Sequence, residues 1–165
     1  MRTATLMLLL AASTAAGAAD LPRLRTTDVQ MLTGQPWTGT LTYLDYRSNR
    51  PVSIRSTLIV SRPKGDEPVW IFDYRYPDEP KANSQETVTL GTDGTTLNGK
   101  HVVERTSVAG ERLKVVTEES GMDNGRKAAI RYTYSIGATS FSIKKEVRYE
   151  DAQEYIERNR YEWSR

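Results

Sequence analysis

The amino-acid sequence predicts an all-β protein, an up-and-down antiparallel meander of about 8–10 strands closed into a barrel. Three observations predict this fold class. Apolar and polar residues alternate along most of the chain, which is the period of a strand with one buried face. Short segments rich in Gly, Pro, Asn and Asp separate these stretches. One short segment near the N-terminus carries the start and stop signals of a helix.

The first 19 residues predict a cleavable signal peptide. Arg2 supplies the positive charge, residues 6–10 form a short apolar run, and residues 16–18 match the small-residue cleavage pattern. The apolar run is shorter than the roughly 18 residues that a transmembrane helix needs. We therefore expect a periplasmic or secreted protein whose mature part, residues 20–165, forms a single domain.

The composition narrows what an exported chain of this kind can be. The sequence contains no cysteine, so we expect neither a lipid anchor nor disulfide bonds, and the core alone must stabilise the fold. The chain carries 23 Lys and Arg residues against 21 Asp and Glu residues, without a basic block. This near-balance argues against a nucleic-acid partner.

The secondary-structure elements follow one another in a regular order. A short helix is expected over 26–34, where Thr26 or Thr27 caps the first turn and Gly34 ends the last. The first strand is expected over 37–46, with Trp37 on the inward face. Further strands are expected over 52–62, 69–76, 85–91, 96–106, 113–118, 127–136, 141–149 and 155–163.

The connections between these strands are short. Asp93 precedes Gly94 and Asn124 precedes Gly125, and both dipeptides are strong hairpin signals. Strands joined by short loops pair in antiparallel orientation with their neighbours in sequence. Closing such a meander removes its exposed edges, which favours a barrel.

A barrel that spans the outer membrane would need an apolar outer face on every strand. The strand expected over 141–149 instead places Lys144, Glu146 and Arg148 on the face opposite Phe141. We therefore expect a barrel with its apolar face inside, and no membrane-spanning segment.

The chain resembles the calycin group of small β-barrels, which includes lipocalins, avidins and fatty-acid-binding proteins. The resemblance consists of the short helix, the meander, Gly34 and Trp37 at the first strand, and Arg158 and Arg160 on the last. In lipocalins a Gly-x-Trp motif closes the bottom of the barrel and a late arginine packs across the tryptophan; here the spacing is Gly-x-x-Trp. The resemblance implies a lipocalin-like barrel that binds a small-molecule or lipid-like ligand in its lumen without catalysis.

Polar residues on inward faces indicate where such a ligand would bind. The first and last strands adjoin in a closed barrel, so polar side chains of both face one side of the lumen. Lys145 suits an anionic group, and because an unpaired buried charge costs several kcal/mol, we expect it to pair with Glu157. The predicted ligand-binding residues are Tyr43, Asp45, Lys145, Glu157, Asn159 and Tyr161.

Other functions remain open at this point. A structural or interaction module would have a filled core and act through its loops or an edge. A hydrolase would depend on carboxylates such as Asp45 and Glu157, and His101, the only histidine, could serve as a haem ligand. We assign no catalytic residue, metal or cofactor from the sequence. The sequence does not determine the oligomeric state.

Overall fold

The computed structural model describes residues 21–45, 47–109 and 112–165, and the predicted signal peptide over 1–19 lies outside them. The described chain contains one α-helix, ten strands and one 3-10 turn. These elements are α1 (Thr26–Gln30), β1 (Trp37–Asp45), β2 (Arg50–Ser61), β3 (Val69–Arg75), a 3-10 turn (Pro80–Ala82), β4 (Ser84–Thr89), β5 (Thr96–Leu97), β6 (Lys100–Val108), β7 (Arg112–Asp123), β8 (Arg126–Ile136), β9 (Ser140–Tyr149) and β10 (Ile156–Ser164).

The ten strands form one antiparallel sheet that curls into a nearly closed barrel. Strands adjacent in sequence pair with each other except β4 and β5, and β1 also pairs with β10. Strands β4 and β5 lie at the two edges of the sheet, where a bridge between Leu90 and Leu97 joins them. The predicted all-β, up-and-down fold is confirmed. Among the described residues, no helix is long and apolar enough to cross a membrane.

The N-terminal segment closes one end of the barrel. Trp37 is fully buried at the start of β1, and its indole Nε1 donates a hydrogen bond to the backbone oxygen of Leu32 at 2.8 Å. The guanidinium of Arg165 lies 4.0 Å from the centre of the Trp37 ring. The arginine that packs across this tryptophan is therefore Arg165, which follows β10, and neither Arg158 nor Arg160 within that strand.

A buried ion pair fixes α1 against the wall of the barrel. The Asp28 carboxylate accepts hydrogen bonds from Arg105 at 2.9 and 2.8 Å and from the backbone N–H of Arg25 at 2.7 Å. Burial acts to raise the pKa of Asp28, but the hydrogen bonds and positive charges of both arginines outweigh it and lower that pKa. The ionised Asp28 therefore ties the helix to β6.

Three predicted elements differ clearly from those observed, and one of them is the strand predicted over 113–118, which extends to Asp123 as β7 (Arg112–Asp123). The single strand predicted over 96–106 is wrong, because a tight turn at Asn98 and Gly99 divides it into β5 and β6. These two residues have positive φ angles of 53° and 76°, which the Asn-Gly dipeptide adopts readily. The helix ends at Gln30, earlier than predicted over 26–34.

A bulge in β10 changes which side chains face the lumen. The register between β10 and β9 shifts between Glu157 and Asn159, so Arg158 is the additional residue. Arg158 turns inward, with 9% of its side chain exposed, although the alternation places it on the outer face. Beyond the bulge, Asn159 and Tyr161 keep the inward positions that the sequence predicts.

Candidate functional site

The barrel encloses a cavity of about 340 Å³. Its apolar end, which we call the floor, lies beneath the N-terminal segment and is formed by Leu24, Val29 and Leu32. The opposite end, which we call the mouth, lies where β4 and β6 begin and is polar. The mouth residues are Ser84, Glu86, Asn98, Lys100, Lys145 and Asn159.

Tyrosines line the wall between the floor and the mouth. The ring of Tyr161 stacks on Trp163 with 4.7 Å between ring centres, and its hydroxyl lies 2.7 Å from the hydroxyl of Tyr76. The ring of Tyr74 lies 5.4 Å from that of Tyr161. These contacts place hydroxyl groups along an otherwise apolar wall. The tyrosines that line the cavity are Tyr74, Tyr132, Tyr134 and Tyr161.

The environment of these tyrosines keeps their hydroxyls protonated. Burial, followed by the negative charge of Glu119, raises the pKa of Tyr132 to about 12. Burial raises the pKa of Tyr134 further, and the charge of Glu86 adds to the effect. Tyr134 is partly accessible because it faces the cavity. At neutral pH both hydroxyls are available to donate hydrogen bonds inside the lumen.

These raised pKa values predict a loss of stability in alkali. Above pH 10, the ordinary tyrosine pKa, the unfolded chain releases protons that the folded protein still holds. The free energy of unfolding therefore falls as the pH rises from 10 through the higher folded pKa. Urea unfolding between pH 9 and 11.5 measures this fall, and Tyr134→Phe should reduce its slope by up to about 1.4 kcal/mol per pH unit. Ile143→Val, a control without a titrating group, should keep the slope; an unchanged slope in Tyr134→Phe would contradict this assignment.

Two lysines reach the mouth from opposite sides of Tyr132. Lys145 lies directly opposite Tyr132 in the pairing of β8 with β9, and opposite Asn159 in the pairing of β9 with β10. The Lys100 ammonium on β6 lies 5.2 Å from the centre of the Tyr132 ring and 3.8 Å from the Glu119 carboxylate. The mouth therefore combines two cations with an aromatic ring and an amide.

A buried ionic cluster lies next to Lys145. Asp123, at the end of β7, accepts hydrogen bonds from Arg158 Nε at 2.9 Å and from the Tyr149 hydroxyl at 2.8 Å. The Lys145 ammonium lies 3.6 Å from the same carboxylate. The predicted pairing of Lys145 with Glu157 is therefore wrong. The sequence pattern does not predict the cluster, because Asp123 lies beside the Asn124–Gly125 turn signal and Arg158 turns inward only through the bulge.

The structure brings together three of the predicted ligand-binding residues. Lys145, Asn159 and Tyr161 line the cavity. Asp45 instead binds the β1–β2 turn, where its carboxylate accepts a hydrogen bond from the Ser48 hydroxyl at 2.6 Å.

The other two predicted residues also lie outside the cavity lining. Glu157 forms an ion pair with Arg160 at 2.5 Å. Tyr43 is partly buried on β1 and lies opposite Asn159 in the pairing with β10. Tyr43 is therefore the strand neighbour of a residue that lines the cavity, but does not line the cavity itself.

The mouth contains residues that are not among the predicted ligand-binding residues. Glu86 on β4 accepts a hydrogen bond from the Asn98 side chain at 2.5 Å, which links the two edges of the sheet beside the cavity. Lys100 follows the Asn98–Gly99 turn directly. The Asn-Gly dipeptide was the available signal, since a hairpin at that point places the start of β6 at the rim of the barrel.

The remaining candidate of the sequence analysis lies elsewhere. His101 is exposed on β6 and does not line the cavity. Across residues 21–45, 47–109 and 112–165, no three His, Asp or Glu side chains converge as a metal site would require. Comparison with protein-family models and with curated proteins finds no match for this chain.

Proposed function

We propose that this protein is an exported, lipocalin-like barrel that binds a small-molecule or lipid-like ligand in its lumen without catalysis. The cavity of about 340 Å³, apolar at its floor and polar at its mouth, carries the proposal. Protein interiors are close-packed, with few voids larger than a water molecule. Ligand sites, by contrast, span roughly 300–1,000 Å³. The size of this cavity favours a ligand over a structural module with a filled core.

The closed end of the barrel supports the lipocalin-like part of the proposal. Trp37 lies at the bottom with the guanidinium of Arg165 across its ring. This is the arrangement that the resemblance implies, made here with a different arginine. A ligand would therefore enter at the polar mouth and direct its apolar part towards the floor.

The positions of the carboxylates favour binding over hydrolysis. Asp45 and Glu157, the predicted acid–base pair, both lie outside the cavity lining. Glu86 does line the cavity, but it accepts a hydrogen bond from Asn98. Inverting and retaining glycosidases need two carboxyl groups flanking one substrate bond. The cavity lining contains one, so an enzyme of this class is less well supported.

Filling the cavity should abolish binding. Val115 is 1% exposed and lines the lumen, so Val115→Phe places additional ring atoms where a ligand would lie. N-phenyl-1-naphthylamine, an uncharged dye that fluoresces in apolar surroundings, is the probe. We expect native protein to bind the dye with saturation, and Val115→Phe to weaken binding by at least about tenfold, which corresponds to about 1.4 kcal/mol.

Val116→Phe is the matched control, because Val116 is also buried on β7 but does not line the cavity. It makes the same change in size one residue away and should retain the dye. Thermal unfolding of both variants shows whether a variant that does not bind the dye is unfolded or is folded with a filled cavity. No saturable binding by the native protein would reject the proposed function, as would equal affinities for native protein and folded Val115→Phe.

A further inference from the structure

We infer that the ligand is an amphipathic molecule with one anionic group, which is held between Lys100 and Lys145 at the mouth. This inference rests on the proposed function and adds the chemical class of the ligand. The sequence pattern predicts a cation at this site only at Lys145. The structure adds a second lysine from a distant strand and places both around one aromatic ring.

The charges on the cavity lining favour an anion. Among the lining residues, Lys100 and Lys145 are cationic and Glu86 is anionic. Glu86 already accepts a hydrogen bond from the Asn98 side chain, between the two edge strands of the sheet. The side chains that line the cavity therefore carry a net charge of +1, and two carboxylates outside the lining, Glu119 and Asp123, lie 3.8 and 3.6 Å from the ammonium groups of the two lysines.

Both lysines retain hydrogen-bonding capacity. The ammonium of Lys100 lies 3.8 Å from Glu119, and that of Lys145 lies 3.6 Å from Asp123. Charge-assisted N–H···O bonds are about 2.7–2.9 Å long, so both contacts are longer than a hydrogen bond. The side chains are only 16% and 22% exposed, which limits the water that can solvate them. An anion between the two lysines would accept hydrogen bonds from ammonium N–H groups that lie too far from Glu119 and Asp123 to bond to them.

The neighbours of the two lysines define how the ligand would lie. Tyr132 lies opposite Lys145 in the sheet and beneath the Lys100 ammonium, so its ring borders the same space. Asn159, on the other side of Lys145, offers an amide to the same group. Below this level the wall is apolar down to the floor except for the hydroxyls of Tyr74, Tyr134 and Tyr161. The anionic group therefore lies at the mouth, and the apolar body extends towards α1.

Two dyes with the same aromatic body test this inference. 1-Anilinonaphthalene-8-sulfonate carries one sulfonate, and N-phenyl-1-naphthylamine is its uncharged counterpart. Fluorescence titration gives the dissociation constant of each dye. The ratio of the two constants reports the contribution of the sulfonate, because the aromatic body is common to both dyes. Lys100→Met and Lys145→Met should each shift the ratio against the sulfonate dye by about tenfold, because each removes a charged hydrogen-bond donor.

Lys144→Met is the matched control, because Lys144 lies next to Lys145 on the outer face and pairs with Glu146 at 2.9 Å. It should leave the ratio unchanged. Should Lys145→Met fail to fold beside Asp123, Lys100→Met decides the question alone, since Glu119 is more exposed. Sodium sulfate at the ionic strength of a sodium chloride control should not displace the sulfonate dye, because a free anion lacks the apolar body.

The possible failures are distinguishable. If both dyes bind but the lysine variants leave the ratio unchanged, the anionic group is rejected and ligand binding in the lumen stands. If sulfate alone displaces the dye, the site takes a free anion and the amphipathic ligand is rejected. If N-phenyl-1-naphthylamine does not bind the native protein, the proposed function itself fails.

Discussion

Asp123→Ala is expected to lower the free energy of unfolding by about 3–5 kcal/mol, the range found when one partner of a buried ion pair is removed. Asp123 has 3% of its side chain exposed, and Arg158, whose Nε it binds at 2.9 Å, has 9%. The substitution removes the acceptor of the Arg158 and Tyr149 hydrogen bonds. It leaves the buried guanidinium without this carboxylate, and desolvation of that charge sets the size of the effect. Urea unfolding at neutral pH measures it.

Asp151→Ala is the control, since Asp151 pairs with Arg126 at the same end of the barrel but is 74% exposed. Exposed ion pairs contribute about 0–1 kcal/mol, so this variant should be close to native in stability. Arg158→Met combined with Asp123→Leu should cost less than the sum of the two single changes, because neither charge is then buried alone. A loss from Asp123→Ala no larger than that from Asp151→Ala would contradict the buried pair.

Trp37→Ala should cost about 3–5 kcal/mol, the usual range for truncating a buried tryptophan. The indole is fully buried, lies 5.9 Å from the Phe141 ring, and donates to the Leu32 backbone oxygen. The substitution therefore opens a cavity at the closed end of the barrel and leaves a carbonyl unsatisfied. Thermal and urea unfolding both report the loss.

Trp37→Phe separates the two contributions. It retains an aromatic ring but removes the indole N–H, so the Leu32 carbonyl loses its partner at a cost of about 1–3 kcal/mol. We expect its stability to lie between those of native protein and Trp37→Ala. An Ala variant within about 1 kcal/mol of native would show that Trp37 does not hold the closed end together.

The alternation of side chains predicted most of the barrel because the direction of a side chain in a regular strand follows from its position alone. Trp37 on β1 and Phe141 on β9 are both buried where the sequence places them inward. The short turns predicted the antiparallel order for a similarly local reason. A two-residue loop leaves the chain no other neighbour to pair with.

Features that depend on distant contacts were not predictable. Arg158 turns inward to the buried Asp123 carboxylate only because β10 contains a bulge, and a bulge breaks the alternation from which faces are inferred. Its partner Asp123 lies 35 residues earlier in the chain. Nothing in the local pattern connects the two, so Lys145 was assigned to Glu157 instead.

The candidate site was predicted in part for the same reason. Lys145, Asn159 and Tyr161 lie on regular stretches of adjacent strands, and alternation placed them correctly. Lys100 is not among the predicted site residues, because a continuous strand over 96–106 does not place it at the end of a strand. The turn at Asn98 and Gly99 does so. Asp45 was assigned to the lumen although its carboxylate is held by backbone N–H groups of the following turn. End residues of strands follow the geometry of the turn rather than the alternation.

Binding inside the lumen of the barrel can be observed by an isotope-filtered nuclear Overhauser experiment on methyl-labelled protein saturated with N-phenyl-1-naphthylamine. We expect cross-peaks from the dye to the methyl groups of Val115 and Ile143, which line the cavity. Cross-peaks only to Ile59 and Val103, which are exposed on the outside, would place the dye on the surface and contradict binding inside the lumen.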